Sequence, residues 1–150
     1  MTITVSQLTE EDISSMYLTI SENLGHIYEL KEIQYLPYET FFNHFKNILD
    51  NNLLKIFAIR VNGLFAGAIE VATKDDRYII GYWIGLAYRN RGIVTMAVED
   101  VIKHDLAEKK PITANTRYDN LASIRILQKL GFKETHRDSE LIHYERVDRP

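Results

Sequence analysis

The middle of the chain shows the clearest alternation of apolar and polar positions. Lys55–Val61 and Leu64–Ala72 are predicted strands that flank Asn62-Gly63, the strongest short sequence signal for a two-residue hairpin. Arg77–Ile84 (RYIIGYWI) follows, and its aromatic and β-branched residues are typical of a central strand. These three segments predict an antiparallel meander.

A helical periodicity follows the meander. From Val94 onward, apolar residues recur at i, i+3, i+4, i+7 and i+8, which predicts a helix over Val94–Lys109 with one apolar stripe against the sheet. Pro111–Arg117 is a predicted strand. The next helix, predicted over Asn120–Leu130, ends before Gly131, which suits the C′ position.

The two ends of the chain supply the remaining elements. Thr9 precedes three acidic residues, which predicts an N-cap followed by acids in the first turn, where the helix dipole favours them. Glu22–Leu36 has weak periodicity and is predicted to be loop and partial helix. The other predicted elements are a strand over 3–8, helices over Glu10–Ser21 and Pro37–Leu49, and a closing antiparallel pair over Phe132–His136 and Leu141–Val147.

The order of these elements is β-α-α-β-β-β-α-β-α-β-β. Strands joined by hairpins are antiparallel, whereas the β-α-β crossover that follows them joins parallel strands. The pattern therefore predicts an α+β fold of three layers with one mixed sheet. No internal repeat, polar linker or change of composition divides the sequence, so we expect a single domain over residues 1–150.

Composition narrows the class of protein. The 150 residues are 45% hydrophobic and 26% charged, the balance of an ordinary globular domain. No apolar run reaches the roughly eighteen residues of a membrane helix, the first residues lack the features of a signal peptide, and no cysteine is present. We therefore expect a cytoplasmic protein without disulfides, without a membrane partner and without an acyl group carried on cysteine.

Charge narrows the choice of ligand. The formal net charge of −3 argues against a broad nucleic-acid surface. An anionic ligand therefore has to be held by a local arrangement of donors.

The segment Ile84–Thr95 (IGLAYRNRGIVT) has such an arrangement. A strand ends, a loop follows and a helix begins, and helix N-termini present unpaired N–H groups and a positive dipole end. Gly92 lets a ligand approach the backbone closely, and Arg89 and Arg91 add positive charge. A diphosphate fits this pattern; the alternative is an ordinary loop with solvated arginines.

Other chemistries lack their sequence signals. The chain contains no GxxxxGK[ST] or GxGxxG phosphate loop and no HExxH, CxxC or GxSxG motif. The five histidines show no ligand spacing, so we expect no metal site.

At this point two motifs resemble a known family. RNRGIV lies on the Arg/Gln-x-x-Gly-x-Gly/Ala signature of the GNAT superfamily of acyl-CoA-dependent N-acyltransferases, within the strand–loop–helix run GYWIGLAYRNRGIVTMAVEDVI. NTRYDNLASIRILQKLGF resembles the second motif, Asn-x-x-Ser/Ala followed by Leu-Gly-Phe. Together they span residues 81–132, and they are most similar to the Rim-like branch, which acetylates ribosomal-protein N-termini and includes many small-amine acetyltransferases.

The resemblance implies a three-layer α/β/α GNAT-like fold with a partly split sheet and an acetyl-CoA site. Backbone N–H groups from Arg91 to Thr95 would hold the coenzyme A diphosphate, Trp83–Leu86 would pair with the pantetheine arm as another strand does, and Ser123 would lie near the thioester sulfur. The cofactor-binding residues that the resemblance implies are Trp83, Ile84, Gly85, Leu86, Arg89, Arg91, Gly92, Ile93, Val94, Thr95, Asn120 and Ser123.

The sequence departs from the family pattern at two positions. Val94 stands where glycine or alanine is usual. Its branched side chain narrows the space through which a ligand reaches the backbone, unless the side chain points inward. Leu127 stands where many members carry a tyrosine that protonates the leaving thiolate, and the resemblance implies Ser123 as the substitute. The alternative for Ser123 is a first-turn hydroxyl that bonds to the backbone.

Direct transfer to an amine requires the neutral amine. An α-amino group is roughly a tenth neutral at pH 7 and a lysine less than ~0.1%, so a lysine substrate demands about two more pK units of help. Many relatives have a glutamate where this chain has Ile79. Glu70 is the best remaining strand carboxylate and the candidate base, and it shares a strand parity with Ala66, Ala68 and Ala72. Water is the alternative proton acceptor.

The amine acceptor is expected between the first two helices and their loop. Tyr28, Glu29, Tyr35 and Tyr38 lie there, and aromatics with a carboxylate receive cationic amines. We expect an N-acetyltransferase for a small-molecule amine or a protein N-terminus. The alternatives are a non-catalytic acyl-CoA-binding module and an interaction domain without cofactor. Ile142 and Tyr144 in the closing hairpin are candidates for a homodimer contact.

Overall fold

The computed structural model describes residues 1–147, which form seven strands and four α-helices. In chain order these are β1 (Ile3–Gln7), α1 (Asp12–Ser21), α2 (Tyr38–Asp50), β2 (Lys55–Val61), β3 (Leu64–Lys74), β4 (Arg77–Ile84), α3 (Ile93–His104), β5 (Ile112–Arg117), α4 (Leu121–Lys129), β6 (Lys133–Arg137) and β7 (Leu141–Arg146). Short 3-10 segments lie at Tyr28–Tyr35 and Leu86–Tyr88. The predicted order of elements is confirmed.

The seven strands form one mixed sheet in the order β1-β2-β3-β4-β5-β7-β6. Every neighbouring pair is antiparallel except β4 and β5, which are parallel. These two pair only at Tyr78 with Ile112 and at Ile79 with Thr113. The rest of β4 has no partner on its β5 side, so the sheet is split, as predicted.

Helices cover both faces of the sheet. Apolar side chains of α3 and α4 pack with one face, and those of α1 and α2 pack with the other. Alternation along β4 sends Tyr82 towards α3 and α4 and the next residue, Trp83, towards α1 and α2. The predicted three-layer arrangement is therefore confirmed.

Two predicted helix boundaries are wrong. Helix α3 ends at His104, not Lys109, because the chain must return to start β5 beside Tyr78; the N–H of Glu108 donates to the Tyr78 hydroxyl at 3.2 Å on the way. Thr9 is not a side-chain cap of α1. Instead the Asp12 carboxylate accepts hydrogen bonds from the Thr9 N–H and hydroxyl at 2.8 and 3.1 Å.

A β-bulge changes the parity along β3. Ile59 pairs with Gly67 and Arg60 with Phe65, which leaves Ala66 as the extra residue. Ala66 therefore joins the α3 face, whereas Ala68 joins the α1 face. The prediction that Ala66 shares a face with Glu70 is wrong.

Ile142 and Tyr144 of the closing hairpin are not on the surface, so the prediction that these two residues form a dimer contact is wrong. Ile142 and Tyr144 are buried in the core that includes α3 and α4. Every residue of β6, the outer strand of this hairpin, is exposed instead.

Candidate active site

The split between β4 and β5 opens into a groove of about 600 Å³. The end of β4, the loop after it, the first turn of α3 and one side of α4 line this groove. Every residue in the predicted cofactor set lines it except Gly85. The tertiary fold thus brings together the two sequence motifs, from residues 81–102 and 115–132.

The N-terminus of α3 faces this groove. Gly92 adopts φ +74° and ψ 9°, a left-handed conformation that favours glycine, and the helix begins at the next residue. The first bond back into this turn runs from the Met96 N–H to the Gly92 carbonyl at 3.1 Å. No side chain within residues 1–147 caps the N–H groups of Ile93, Val94 or Thr95, so they are available to an anion.

Val94 does not obstruct this turn. Its side chain belongs to the core between the sheet and α3, and the residue is 6% exposed. The departure from glycine or alanine at this position is therefore accommodated by inward packing.

The two arginines of the loop have different surroundings. Arg89 donates to the carbonyl oxygens of Ile84 at 3.3 Å and His26 at 2.6 Å, so it fastens the 22–36 segment to the end of β4. Arg91 is exposed and makes no hydrogen bond or ion pair within the described chain, which leaves its guanidinium for a ligand. Arg125 and Lys129 of α4 also line the groove; their i, i+4 spacing is a signal that sequence reasoning missed.

The strand end presents fewer free backbone groups than predicted. The Gly85 N–H donates to the Ala66 carbonyl and the Leu86 N–H to Asn23 Oδ1, both at 2.9 Å. The Tyr78 N–H donates towards β5, to Pro111, so by alternation Tyr82 and Ile84 also direct their backbone groups into the split.

The backbone groups of Tyr82 and Ile84 therefore face the split, where the Ile84 carbonyl also accepts from Arg89. The backbone of Trp83 and Gly85 faces β3, and the Leu86 N–H is already bonded. A ligand therefore finds backbone groups directed into the split only at alternate residues, and not along the whole of Trp83–Leu86.

A second cavity of about 380 Å³ lies beside the groove. Its lining includes Glu70 and Ala72 of β3, Ile79 and Gly81 of β4, and residues 115–117 of β5. The Glu70 side chain has no hydrogen bond or ion pair within residues 1–147, and burial raises the pKa of its carboxyl group. An unpaired carboxylate of this kind suits the binding or deprotonation of an amine.

The predicted acceptor residues divide into two groups. Tyr28 and Glu29 line the second cavity. Tyr35 and Tyr38 do not: Tyr35 is 63% exposed, and the ring of Tyr38 packs edge-on against Tyr17 with centroids 5.1 Å apart. Tyr38 is the first residue of α2, and the apolar side of this helix faces α1. The Tyr38 ring therefore packs between the two helices and not in the cavity.

Six residues line both cavities and mark where they meet. They are Tyr28, Glu29, Tyr82, Trp83, Asn120 and Ser123. Removal of surrounding water by protein atoms raises the pKa of Glu29, and the Arg89 charge and a bond from Asn120 oppose this shift. Burial raises the pKa of Tyr82.

Asn120 and Ser123 are held at this junction by the start of α4. Asn120 Oδ1 accepts the Ser123 N–H at 3.1 Å, the bond of an N-cap, and Asn120 Nδ2 donates to Glu29 Oε1 at 3.4 Å. The Ser123 hydroxyl lies 2.8 Å from the Tyr82 hydroxyl. Sequence reasoning missed Tyr82, although its alternation with Trp83 along β4 was the available signal.

Residues 1–147 were searched for membrane-spanning helices and for metal-ligand clusters. No helix in this part of the chain is both long and apolar enough to cross a membrane. No three histidine, cysteine, aspartate or glutamate side chains in it are grouped as metal ligands would be.

Comparison with known proteins identifies the family to which this sequence is similar. Residues 3–133 match the model of the acetyltransferase (GNAT) domain. No curated protein matches the sequence at a significant level.

Solved structures are similar to nearly the whole chain. RimL, a ribosomal L7/L12 alpha-N-protein acetyltransferase in complex with coenzyme A, is 17% identical with a TM-score of 0.84, covering 97% of this chain and 94% of its own. A ribosomal-protein-S5-alanine acetyltransferase from Vibrio fischeri is 16% identical with a TM-score of 0.75, covering 97% and 92%.

A third similar structure also contains coenzyme A. The PaiA N-acetyltransferase from Thermoplasma acidophilum, in complex with coenzyme A, is 15% identical with a TM-score of 0.76, covering 99% of this chain and 100% of its own. At these identities the structures show the fold alone, and the family match covers most of the sequence. The chain therefore belongs to the GNAT family of acetyltransferases, as an acetyl-CoA-dependent N-acetyltransferase.

Proposed function

We propose that this protein transfers an acetyl group from acetyl-CoA directly to the primary amine of a small molecule or of a protein N-terminus. The observation that carries the proposal is the meeting of two cavities at Ser123: one begins at the helix N-terminus, and the other contains Glu70. A donor in the first cavity and an amine in the second would have their reacting atoms at the shared residues. The sequence contains no cysteine to carry the acetyl group between them.

The groove has the donor set that coenzyme A requires. The free N–H groups of Ile93, Val94 and Thr95 suit a diphosphate, and Thr95 adds a hydroxyl. The side chains of Arg91, Arg125 and Lys129 add positive charge to the groove of a protein whose net charge is negative. Tyr82 and Ile84 offer backbone groups to the amide-rich pantetheine arm.

Glu70 is the proposed proton acceptor for the amine. Its unpaired carboxylate lines the amine cavity, and burial raises its pKa towards the range of an effective base. Ile79 occupies the position of the glutamate found in many relatives. It lines the same cavity from β4, two residues from Gly81, which pairs with Glu70. Glu70 thus supplies from β3 the carboxylate that β4 lacks.

The cavity supports an α-amine as the acceptor class. Glu29 and Glu70 provide negative charge for an ammonium group, while Lys31 and Arg117 line the same cavity and suit a carboxylate or peptide carbonyl beyond the amine. A neutral α-amine at pH 7 is far more abundant than a neutral lysine side chain, so a single carboxylate is an adequate base. The similarity to ribosomal-protein acetyltransferases supports inclusion of N-terminal peptides among the candidates.

The test is release of free thiol from acetyl-CoA in the presence of a panel of amines. The panel holds amino acids, polyamines, aminoglycosides and peptides with free or blocked N-termini, and each free peptide is matched with its blocked form. We expect thiol release with at least one α-amine and none with its blocked partner.

Two other outcomes would contradict the proposal. Coenzyme A binding without turnover on any amine would favour the non-catalytic module. No calorimetric heat and no thermal shift with coenzyme A would favour a domain without cofactor, because a ligand at a hundred times its Kd stabilises the fold by about 2.7 kcal/mol.

A further inference from the structure

We propose that Tyr82 is a positioning residue that holds the Ser123 hydroxyl as a hydrogen-bond donor to the leaving sulfur. In this arrangement the sulfur departs as a thiolate, and neither hydroxyl gives up its proton. The inference rests on the proposed acetyl transfer and explains how the enzyme manages without a tyrosine at Leu127.

The geometry of the pair supports this role. The two hydroxyl oxygens are 2.8 Å apart, and both residues are buried, with exposures of 9% for Tyr82 and 7% for Ser123. Both residues also line the junction of the two cavities. Their contact therefore lies at the edge of the core, where donor and acceptor would meet.

The hydrogen-bonding capacity of serine then sets the direction of its proton. When Tyr82 donates to Ser123 Oγ, the serine proton remains free to point at a ligand. If Ser123 donates to Tyr82 instead, the one other acceptor for the Tyr82 hydroxyl within residues 1–147 is the Ser123 carbonyl oxygen at 3.4 Å, a long contact. The Ser123 backbone is already fixed by Asn120, so the contact with Tyr82 removes the remaining freedom of the hydroxyl.

Leu127 has no group that can donate a hydrogen bond or a proton to the sulfur. The residue is fully buried, at 0% exposure, within the core between α4 and the sheet. Tyr82 approaches the same region from β4, on the opposite wall of the groove. The tyrosine hydroxyl is thus supplied by the sheet instead of by the helix.

The proton balance favours a hydrogen bond over proton transfer. The amine nitrogen bonds to the carbonyl carbon and loses one proton to Glu70; the carbon–sulfur bond then breaks, and its electron pair stays on sulfur. A thiol has a pKa near 8.5, below that of a phenol or an alcohol, so the thiolate does not take a proton from either hydroxyl. Burial raises the pKa of Tyr82 further, which keeps the phenol protonated.

The experiment compares Tyr82→Phe, Ser123→Ala and the double variant with Tyr144→Phe. Tyr144 is also a buried tyrosine of the α3–α4 core, but it lines neither cavity. We expect a loss of kcat of roughly 10- to 150-fold for each single active-site variant, the value of one hydrogen bond to a charged group. The double variant should be no slower than the slower single variant, because the pair acts as one unit. The KM of each variant for acetyl-CoA should stay within about twofold of the wild-type value.

A second readout separates this role from a structural one. The acetyl selenoester analogue of acetyl-CoA releases a less basic selenolate, which needs less stabilisation. We expect the selenoester to restore most of the lost rate in Tyr82→Phe and Ser123→Ala, and to change Tyr144→Phe only as it changes the wild type.

The possible failures are distinguishable. A wild-type protein without turnover on any amine would overturn the proposed function and this inference together. An active wild type whose Tyr82→Phe variant matches Tyr144→Phe, or loses the same factor with thioester and selenoester, would overturn this inference alone. If Tyr82→Phe does not fold, Ser123→Ala decides by the same selenoester comparison.

Discussion

Replacement of Gly92 by alanine tests the proposed diphosphate site with a single methyl group. Gly92 has φ +74°, and a Cβ atom built there meets no protein atom within 4 Å. Gly131, after α4, has φ +83° and equally open surroundings, but it does not line the groove. Gly131→Ala is therefore a matched control for the backbone cost alone.

The two variants should lose the same stability. An alanine forced into the left-handed region costs about 1–2 kcal/mol, and the open space adds no steric term. For a domain of this size that corresponds to a fall in Tm of about 2–8 °C. Thermal unfolding without ligand measures this shared effect.

Only Gly92→Ala should also lose affinity for coenzyme A. To relieve the strain, the chain rotates at the residue that aims the first N–H groups of α3 into the groove. Loss of one hydrogen bond to a charged group, about 1.5–3 kcal/mol, weakens Kd roughly 10- to 150-fold. Calorimetric titration with coenzyme A should show this loss in Gly92→Ala and a change within about twofold in Gly131→Ala. Equal Kd values for the two variants would refute the assignment of the diphosphate to this turn.

Three further substitutions test other parts of the site. Arg91→Glu should weaken coenzyme A by about tenfold or more and spare the pantetheine fragment that lacks the diphosphate, as measured by calorimetry. Glu70→Gln should lower kcat by about 10²-fold or more. Because burial raises the pKa of Glu70, the wild-type rate should fall on the acid side at a pH above the usual glutamate range, and the variant should lack that limb. Leu127→Tyr should overpack the core, cost about 1–3 kcal/mol and lower Tm without raising kcat.

The sign of the Glu70 effect can be checked in the absence of substrate. A carboxyl group whose pKa is raised in the folded state stabilises the fold only at acid pH, and that stability is lost as pH rises through the folded pKa. Glu70→Gln should therefore raise Tm at pH 7 and give less or no gain near pH 4. A lower Tm at pH 7 would indicate a favourable partner for the carboxylate.

Equal losses of affinity for coenzyme A and for pantetheine in Arg91→Glu would contradict the prediction for Arg91. A Leu127→Tyr enzyme with a higher kcat would contradict the prediction for Leu127.

The order of the elements and the start of α3 at Gly92 were readable from the sequence because their signals are local. Asn62-Gly63 fixes a hairpin through its own backbone preferences, and the apolar stripe that starts near Val94 fixes a helix. Gly92 marks the N-terminus of that helix, and free N–H groups follow from helix geometry alone. The second motif was recognisable by its resemblance to the family pattern, and the structure adds that Asn120 caps α4 by accepting the Ser123 N–H.

The sequence could not assign the two loop arginines to different roles. Arg89 and Arg91 are two residues apart in similar surroundings along the chain. Arg89 is bonded to His26, 63 residues away, and only the packing of the 22–36 segment against β4 provides that acceptor.

Parity along a strand was reliable only where no bulge occurs. The extra residue at Ala66 moved it to the other face of β3, and the close approach of the Gly67 position to the Trp83 carbonyl, 2.2 Å for a built Cβ, shows how tightly the strands are packed there. In β4, which has no bulge, alternation correctly separates Tyr82 from Trp83.

The sequence by itself determined which segments are helices and strands, and which turn presents free N–H groups, because each depends on residues within about one turn or one hairpin. Tertiary structure alone decided which carboxylate faces the amine cavity and which hydroxyl accompanies Ser123. Glu70, Tyr82 and Ser123 come from three different elements, and the pairing of β3 with β4 and the packing of α4 set their distances. Tyr82 and Ser123 are 41 residues apart, so no local pattern of residue types encodes their contact.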